Sequence, residues 1–281
     1  MTRLVLIIAV IFALGLYVGS RVARAEDPYI VLASTTSVDN SGLLTHVLPL
    51  FKKASGIDVR VVALGTGQAL DTARRGDADL VLVHDPDAEK KFIDEGHGIN
   101  RREIAWNDFI IVGPASDPAK LKGNKDVVAA FRAIWNANAA FVSRGDKSGT
   151  DALEKRLWKA ADLDPTKAGG WYKDIGGGMG AALNTAAAMD AYTLADRGTW
   201  LSFKNPQHLA IVLEGDGRLL NRYDVIELDP KLHPQAKRDL GKKFADWLVS
   251  PAGQSAIGEF EMAGQKLFHP EADPKPGTAG L

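Results

Sequence analysis

The sequence predicts a two-lobed α/β protein with doubly wound sheets and a ligand cleft between the lobes. Three observations lead there. Short apolar runs alternate with stretches of helical periodicity along most of the chain, the pattern of strands covered on both faces by helices. Once an N-terminal export segment is set aside, about 256 residues remain, more than one typical domain of about 100–200. Hydroxyl- and glycine-rich segments also recur at strand-to-helix turns, where unpaired backbone N–H groups point outward and open sheets hold their ligands.

The export segment covers residues 1–25. Arg3 supplies a positive start, residues 4–19 are apolar, and Ala23-Arg24-Ala25 offers an A-x-A cleavage site before Glu26. The apolar run is shorter than the roughly 20 residues of a spanning helix, so cleavage is expected, with an uncleaved anchor as the alternative. The chain has no cysteine, which excludes a disulfide framework, a thiol nucleophile, a thiolate metal site and a lipid anchor on an N-terminal cysteine. A soluble exported protein without that anchor is expected in the periplasm. Removing residues 1–25 takes Arg3, Arg21 and Arg24 from 34 basic residues against 35 acidic ones, leaving a net charge of about −4. That balance argues against nucleic acid, whose binding needs a basic stripe, and leaves selectivity for an anion to a local site.

Residues 30–33 read as a buried strand, and Leu43, Leu44, Val47, Leu48 and Phe51 stand at helical spacing over 42–54, closed by Gly56. Residues 58–64 are valine-rich and form a second strand, 65–67 a turn, 68–75 a helix ended by Gly76, and 78–83 a third strand. A strand over 109–112 ends at Gly113-Pro114, with a polar loop after it. A helix over 126–136, a strand over 139–142 and a helix to about 161 come next. Gly176-Gly177-Gly178 turns the chain into a helix over 181–189, and 191–194, 210–213 and 223–228 are strands. An amphipathic helix over 235–248 stops before Pro251. The expected organisation is 26–106 and 221–270 for one lobe, 107–220 for the other, and a disordered tail over 271–281.

Phe141-Val142-Ser143-Arg144-Gly145-Asp146-Lys147-Ser148-Gly149-Thr150 concentrates the chemistry. It sets an arginine, hydroxyls and a loose backbone at a helix start, where the dipole favours negative charge. Arg144 by itself would read as a surface partner of Asp146; the flanking Ser148, Gly149 and Thr150 favour ligand contact. Ser34-Thr35-Thr36-Ser37 is a second hydroxyl cluster, suited to capping and to contact alike. Gly176 to Gly180 and Gly65-Thr66-Gly67 lack the Lys-Ser or Lys-Thr pair of a phosphate loop. The six histidines have no short metal spacing. No cofactor is expected. Tyr192, Trp200 and Phe203 read as packing, and Asp196 and Arg197 as a pair of undecided role.

Taken together, these segments resemble the tungstate-binding components of bacterial ABC uptake systems. The resemblance runs from about Ile30 to Phe268 and rests on Ser34 to Ser37, Gly65 to Leu70, Gly76-Asp77-Ala78-Asp79, Val83-His84-Asp85-Pro86, Asn107-Asp108-Phe109, Val142 to Thr150 and Ala191 to Trp200. It implies a periplasmic binding protein, monomeric and without turnover, that closes on one tetrahedral oxyanion and hands it to an inner-membrane ABC permease. Carried over residue by residue, Thr35, Thr36 and Ser37 donate from one lobe and Arg144, Ser148, Gly149 and Thr150 from the other. Thr66 and Gly67 sit at a similar turn. Asp151 stands where the family often has histidine. The chemistry agrees: tungstate or molybdate has four acceptor oxygens and no proton to give, so it needs donors and no carboxylate. Molybdate, sulfate or phosphate in the same fold, or an exported serine hydrolase acting through Ser148, are the competing readings.

Overall fold

A computed structural model describes residues 27–271, so the export segment and nearly all of the tail lie outside the described residues. The chain enters through β1 (Tyr29–Thr35), a short helix α1 (Thr36–Asn40), α2 (Leu43–Ser55), β2 (Asp58–Leu64), α3 (Thr66–Arg74), β3 (Leu80–Val83) and α4 (Pro86–Asp94). It continues through β4 (Gly98–Pro114), α5 (Val127–Asn136), β5 (Phe141–Ser143), α6 (Gly149–Ala160), β6 (Tyr172–Asp174), α7 (Met179–Met189), β7 (Thr193–Asp196), α8 (Arg197–Ser202) and β8 (Leu209–Leu213). It returns by β9 (Leu220–Leu228), α9 (Arg238–Leu248), α10 (Pro251–Gly258) and the short strands β10 (Glu261–Met262), β11 (Gln265–Lys266) and β12 (His269–Pro270).

β1 pairs in parallel with β2, from Tyr29 opposite Asp58 to Thr35 opposite Leu64, and with β3 on its other side. β9 then joins β3 antiparallel. The mostly parallel sheet expected from alternation is therefore mixed, and the reason is β4. This one strand pairs with β9 and β12 along its first part and with β7 and β8 along its second, antiparallel to all of them. The chain crosses between the two halves once along β4 and returns through β8 and β9, which run back beside it without a helical crossover.

Period-two alternation buries both faces of each half. In the first half, Leu80 and Leu82 face a cluster with Phe51, Phe244 and Phe268, while Val81 and Val83 face another with Leu70, Phe92 and Ile226. In the second, Ile111 packs with Phe131, Phe141 and Trp158, and Ile110 and Val112 with Val142, Leu183 and Leu209. Burying each such side chain contributes about 1.5–3 kcal/mol.

Several boundaries differ from the sequence reading for local reasons. β4 begins eleven residues before the expected 109, at Gly98, because the charges that disguised it are paired with the neighbouring strand β9 and the helices α4 and α9: Arg101 with Glu89 and Asp224 at 2.9 Å each, Arg102 with Glu227 at 2.8 Å and Asp246 at 2.7 Å. The Asp85 carboxylate caps α4, with Pro86 in the first helical turn. Pro251, read as a stop, also opens a helix, capped by Ser250. α3 begins at Thr66, so Thr66 and Gly67 are helical and Gly65 is the cap. Asp79, just before β3, is buried and accepts from the backbone N–H groups of Val31 and Lys237 at 2.8 and 2.7 Å.

Candidate functional site

A cavity of about 390 Å³ lies where the two halves meet. It is many times the roughly 30 Å³ share of one water, so a four-oxygen anion enters without filling it. Four helix starts deliver its polar lining: Thr36 and Ser37 from α1, Thr150 from α6, Gly178, Met179 and Gly180 from α7, and Gly198 and Thr199 from α8. Arg144, Asn107, Asn40, Ser41, Ser202 and Asn221 add further polar groups. The α7 start is distinctive because Gly178 provides no side-chain cap, leaving the first N–H groups of an 11-residue helix to the cavity side.

Arg144 leaves β5 into a loop that turns through left-handed backbone at Gly145 and Lys147, both at φ 59°. Glycine is required at the first: a Cβ there would lie 1.6 Å from Asp174 Oδ1. The guanidinium donates from Nε to Asp146 Oδ2 at 3.1 Å, from Nη2 to the same oxygen, and from Nη1 to Thr150 Oγ1 at 3.3 Å. Burial would raise the Asp146 carboxyl, but hydrogen bonds from Ser148 and Arg144 together with the Arg144 charge hold it below the usual carboxylate range. Asp146 thus stays ionised and locks the arginine fork in place while the Thr150 side remains on the cavity.

The structure brings Thr36, Ser37, Arg144 and Thr150 together on this cavity. The other candidates fall elsewhere. Thr35 is buried: its Oγ1 accepts from Val38 N at 3.2 Å, capping α1, and meets His84 Nε2 at 3.1 Å. Ser34 donates to Leu82 O at 2.8 Å and is structural. Ser148 Oγ caps α6 by accepting from Asp151 N at 3.3 Å. Gly149 faces an adjoining cavity of about 490 Å³ that shares His84, Phe109 and Asn221 and carries Arg101, Arg156, Arg218 and Arg222. Thr66 and Gly67 start α3 outside both linings.

Sequence reasoning passed over three contributors. The Gly176 to Gly180 loop, set aside for lacking a phosphate-loop lysine, supplies Gly178 and Gly180 as wall. His84 and Asn107 stood inside motifs but in no assigned role. His84 Nδ1 lies 3.0 Å from Asn221 Oδ1, and burial holds the imidazole below its ordinary value against that hydrogen bond, so it is neutral. One carboxylate, Asp196, also lines the cavity, but both its oxygens are occupied at the start of α8, by Thr199 N at 2.7 Å and Thr199 Oγ1 at 2.8 Å. Arg197 pairs not with Asp196 but with Asp108, through two bonds of 2.6 Å, and with Glu214. Tyr192 is core, its hydroxyl donating to Asp117 Oδ1 at 2.8 Å.

A serine hydrolase would need Ser148 paired with a base. His84, the nearest histidine to this helix start, has both ring nitrogens engaged by Thr35 and Asn221. Among the described residues no group of three or more His, Asp or Glu could hold a metal ion, and no helix is long and apolar enough to cross a membrane.

Residues 22–252 match the PBP superfamily domain. The chain is 45% identical over 247 residues to the tungstate-binding protein TupA of Peptoclostridium acidaminophilum, covering 86% of each. It is 41% identical over 259 residues to a putative ABC transporter anion-binding protein of Haloferax volcanii, covering 90% of this chain and 75% of that protein. The solved tungstate-binding protein TupA from Desulfovibrio alaskensis G20 superposes with a TM-score of 0.82 at 45% identity, over 88% of this chain and 100% of that one. With a cleft built from helix starts and this extent of similarity, the chain belongs to the PBP superfamily and, within it, to the family of the TupA tungstate-binding proteins.

Proposed function

We propose that this protein captures tungstate in the cleft between its halves, in the periplasm, and delivers it to an ABC permease without chemical turnover. The observation that carries this reading is the donor set: the uncapped start of α7, the Arg144 fork, and the hydroxyls of Thr36, Ser37 and Thr150 line one cavity whose one lining carboxylate among the described residues, Asp196, already accepts two hydrogen bonds. Such a site matches an anion with four acceptor oxygens and no proton, because each donor finds an acceptor and no acceptor is left facing one. Thr36 and Ser37 reach the anion from one lobe, and Arg144 and Thr150 from the other. Ser148, Gly149 and Thr35 shape the helix starts behind them. The lobes comprise 26–106 with 221–270, and 107–220, and the anion bridges them as a monomer closes.

Titration calorimetry with tungstate, molybdate, sulfate and phosphate tests this. Tungstate is expected to bind tightest, and sulfate and phosphate weakly. Absence of heat with all four would overturn the reading. Molybdate binding as tightly as tungstate would assign the site to both, since charge and shape are shared.

A further inference from the structure

Asn107 sits on the long strand β4 at the floor of the cavity, 4% exposed, within a closed set of polar side chains. Asn221 Nδ2 donates to Asn107 Oδ1 at 3.0 Å and to Tyr223 Oη at 2.7 Å, and the Tyr223 hydroxyl donates to the same Asn107 oxygen at 3.2 Å. Asn221 Oδ1 faces His84 Nδ1, so that nitrogen carries the ring proton and Nε2 accepts the Thr35 hydroxyl hydrogen. Two donors thus converge on the Asn107 carbonyl, while its amide nitrogen has no partner among the described residues. Asn107 lines the cavity, and this amide nitrogen is the end of it that the network leaves unengaged.

We infer that the Asn107 amide is a further donor to the bound oxyanion, and that the chain from Thr35 through His84, Asn221 and Tyr223 fixes it as a donor, selecting anions that carry no proton. The direction of the chain matters. Reversing every bond would satisfy the same heavy-atom pairs but turn the Asn107 carbonyl into the cavity, an acceptor suited to a protonated anion. The direction found is the one an unprotonated oxyanion stabilises. Burial keeps the chain uncharged: it lowers the imidazole and raises the Tyr223 phenol well above its ordinary value, so His84 has one ring proton and Tyr223 keeps its hydroxyl hydrogen. The Thr35 hydroxyl hydrogen is committed to His84, so Thr35 serves the ligand through this chain and not by contact. A buried donor left unmatched is costly, which is how a fixed amide discriminates between anions.

This inference rests on the oxyanion reading above. Its test is calorimetry of Asn107→Ala, Asn107→Asp and Tyr223→Phe beside the unaltered protein, with tungstate and phosphate. Asn107→Ala should weaken tungstate roughly 10- to 100-fold, as loss of a hydrogen bond to a charged group does. Asn107→Asp should weaken it further while narrowing the tungstate-to-phosphate ratio, because a carboxylate accepts the proton of hydrogenphosphate and repels a dianion. Tyr223→Phe removes one of the two donors that orient the amide and should cost about 2- to 10-fold. Folded Asn107→Ala with tungstate affinity within about twofold of the unaltered protein would overturn the inference alone. If the Asn107 variants do not fold, unchanged affinity in Tyr223→Phe overturns it. An unaltered protein that takes no tungstate removes the parent reading as well.

Discussion

Arg144 illustrates how much a single residue's surroundings decide. In isolation its bond to Asp146 is the ordinary surface ion pair, worth about 0–1 kcal/mol. Here the pair is largely buried and Thr150 shares the fork, so the charge is held where a ligand enters. Arg144→Ala should cost about 2–3 kcal/mol of tungstate affinity by calorimetry, and Arg144→Lys should recover only part because an ammonium lacks the planar fork. Glu154 shows a different effect on stability. It is buried in α6, its Oε1 accepting from Tyr172 Oη at 2.9 Å and Trp158 Nε1 at 3.1 Å, and burial raises its carboxyl to about 7 despite those bonds. A carboxyl raised above its unfolded value stabilises the fold below that unfolded value and loses the contribution as pH rises through about 7. Glu154→Gln keeps an acceptor for both donors and should melt higher than the parent at pH 8, by about 1–3 kcal/mol, with the gap closing toward pH 4.

At the scale of elements, β4 and the α7 start do most to define the site. β4 places Asn107 and Phe109 on the cavity while its flanks hold two sheets together. Where it passes Tyr192 there is no room for a side chain: a Cβ on Gly113 would lie 2.3 Å from the Tyr192 ring, which is fully buried and bonded to Asp117. Gly113→Ala should therefore destabilise the protein by about 1–3 kcal/mol, the usual cost of overpacking, as a lowered melting temperature. Element boundaries were legible where one kind of signal dominated. Asp58–Leu64 follows directly from its valines. The start of β4 was not, because Arg101 and Arg102 mimic a solvated loop until their cross-strand partners Asp224 and Glu227 are known.

For the whole molecule, the two halves are joined by β4 and its antiparallel return, and small backbone changes there are expected to close the cleft. The cavity is larger than the ion proposed for it, so binding should favour a closed arrangement in which donors from both sides reach one anion. Two measurements check this. Small-angle scattering should show a smaller radius of gyration with tungstate. Tungstate at about 100 times its Kd should also stabilise the fold by about 2.7 kcal/mol, raising the melting temperature by roughly 5–10 °C.

The sequence by itself determined the α/β class and nominated the segment around Arg144 and the hydroxyls of Thr36 and Ser37 as candidates, because periodicity and turn chemistry are local and survive without knowledge of partners. Only the tertiary structure decided which donors meet. Thr35 and Ser148 carry the same hydroxyl chemistry as Thr36 and Thr150, yet cap their helices, a difference set by side-chain direction and not by residue type. His84, Asn107 and Asn221 lie far apart in the chain and become one network only when β3, β4 and β9 are laid side by side, since hydrogen bonds between distant segments leave no periodic trace in the sequence.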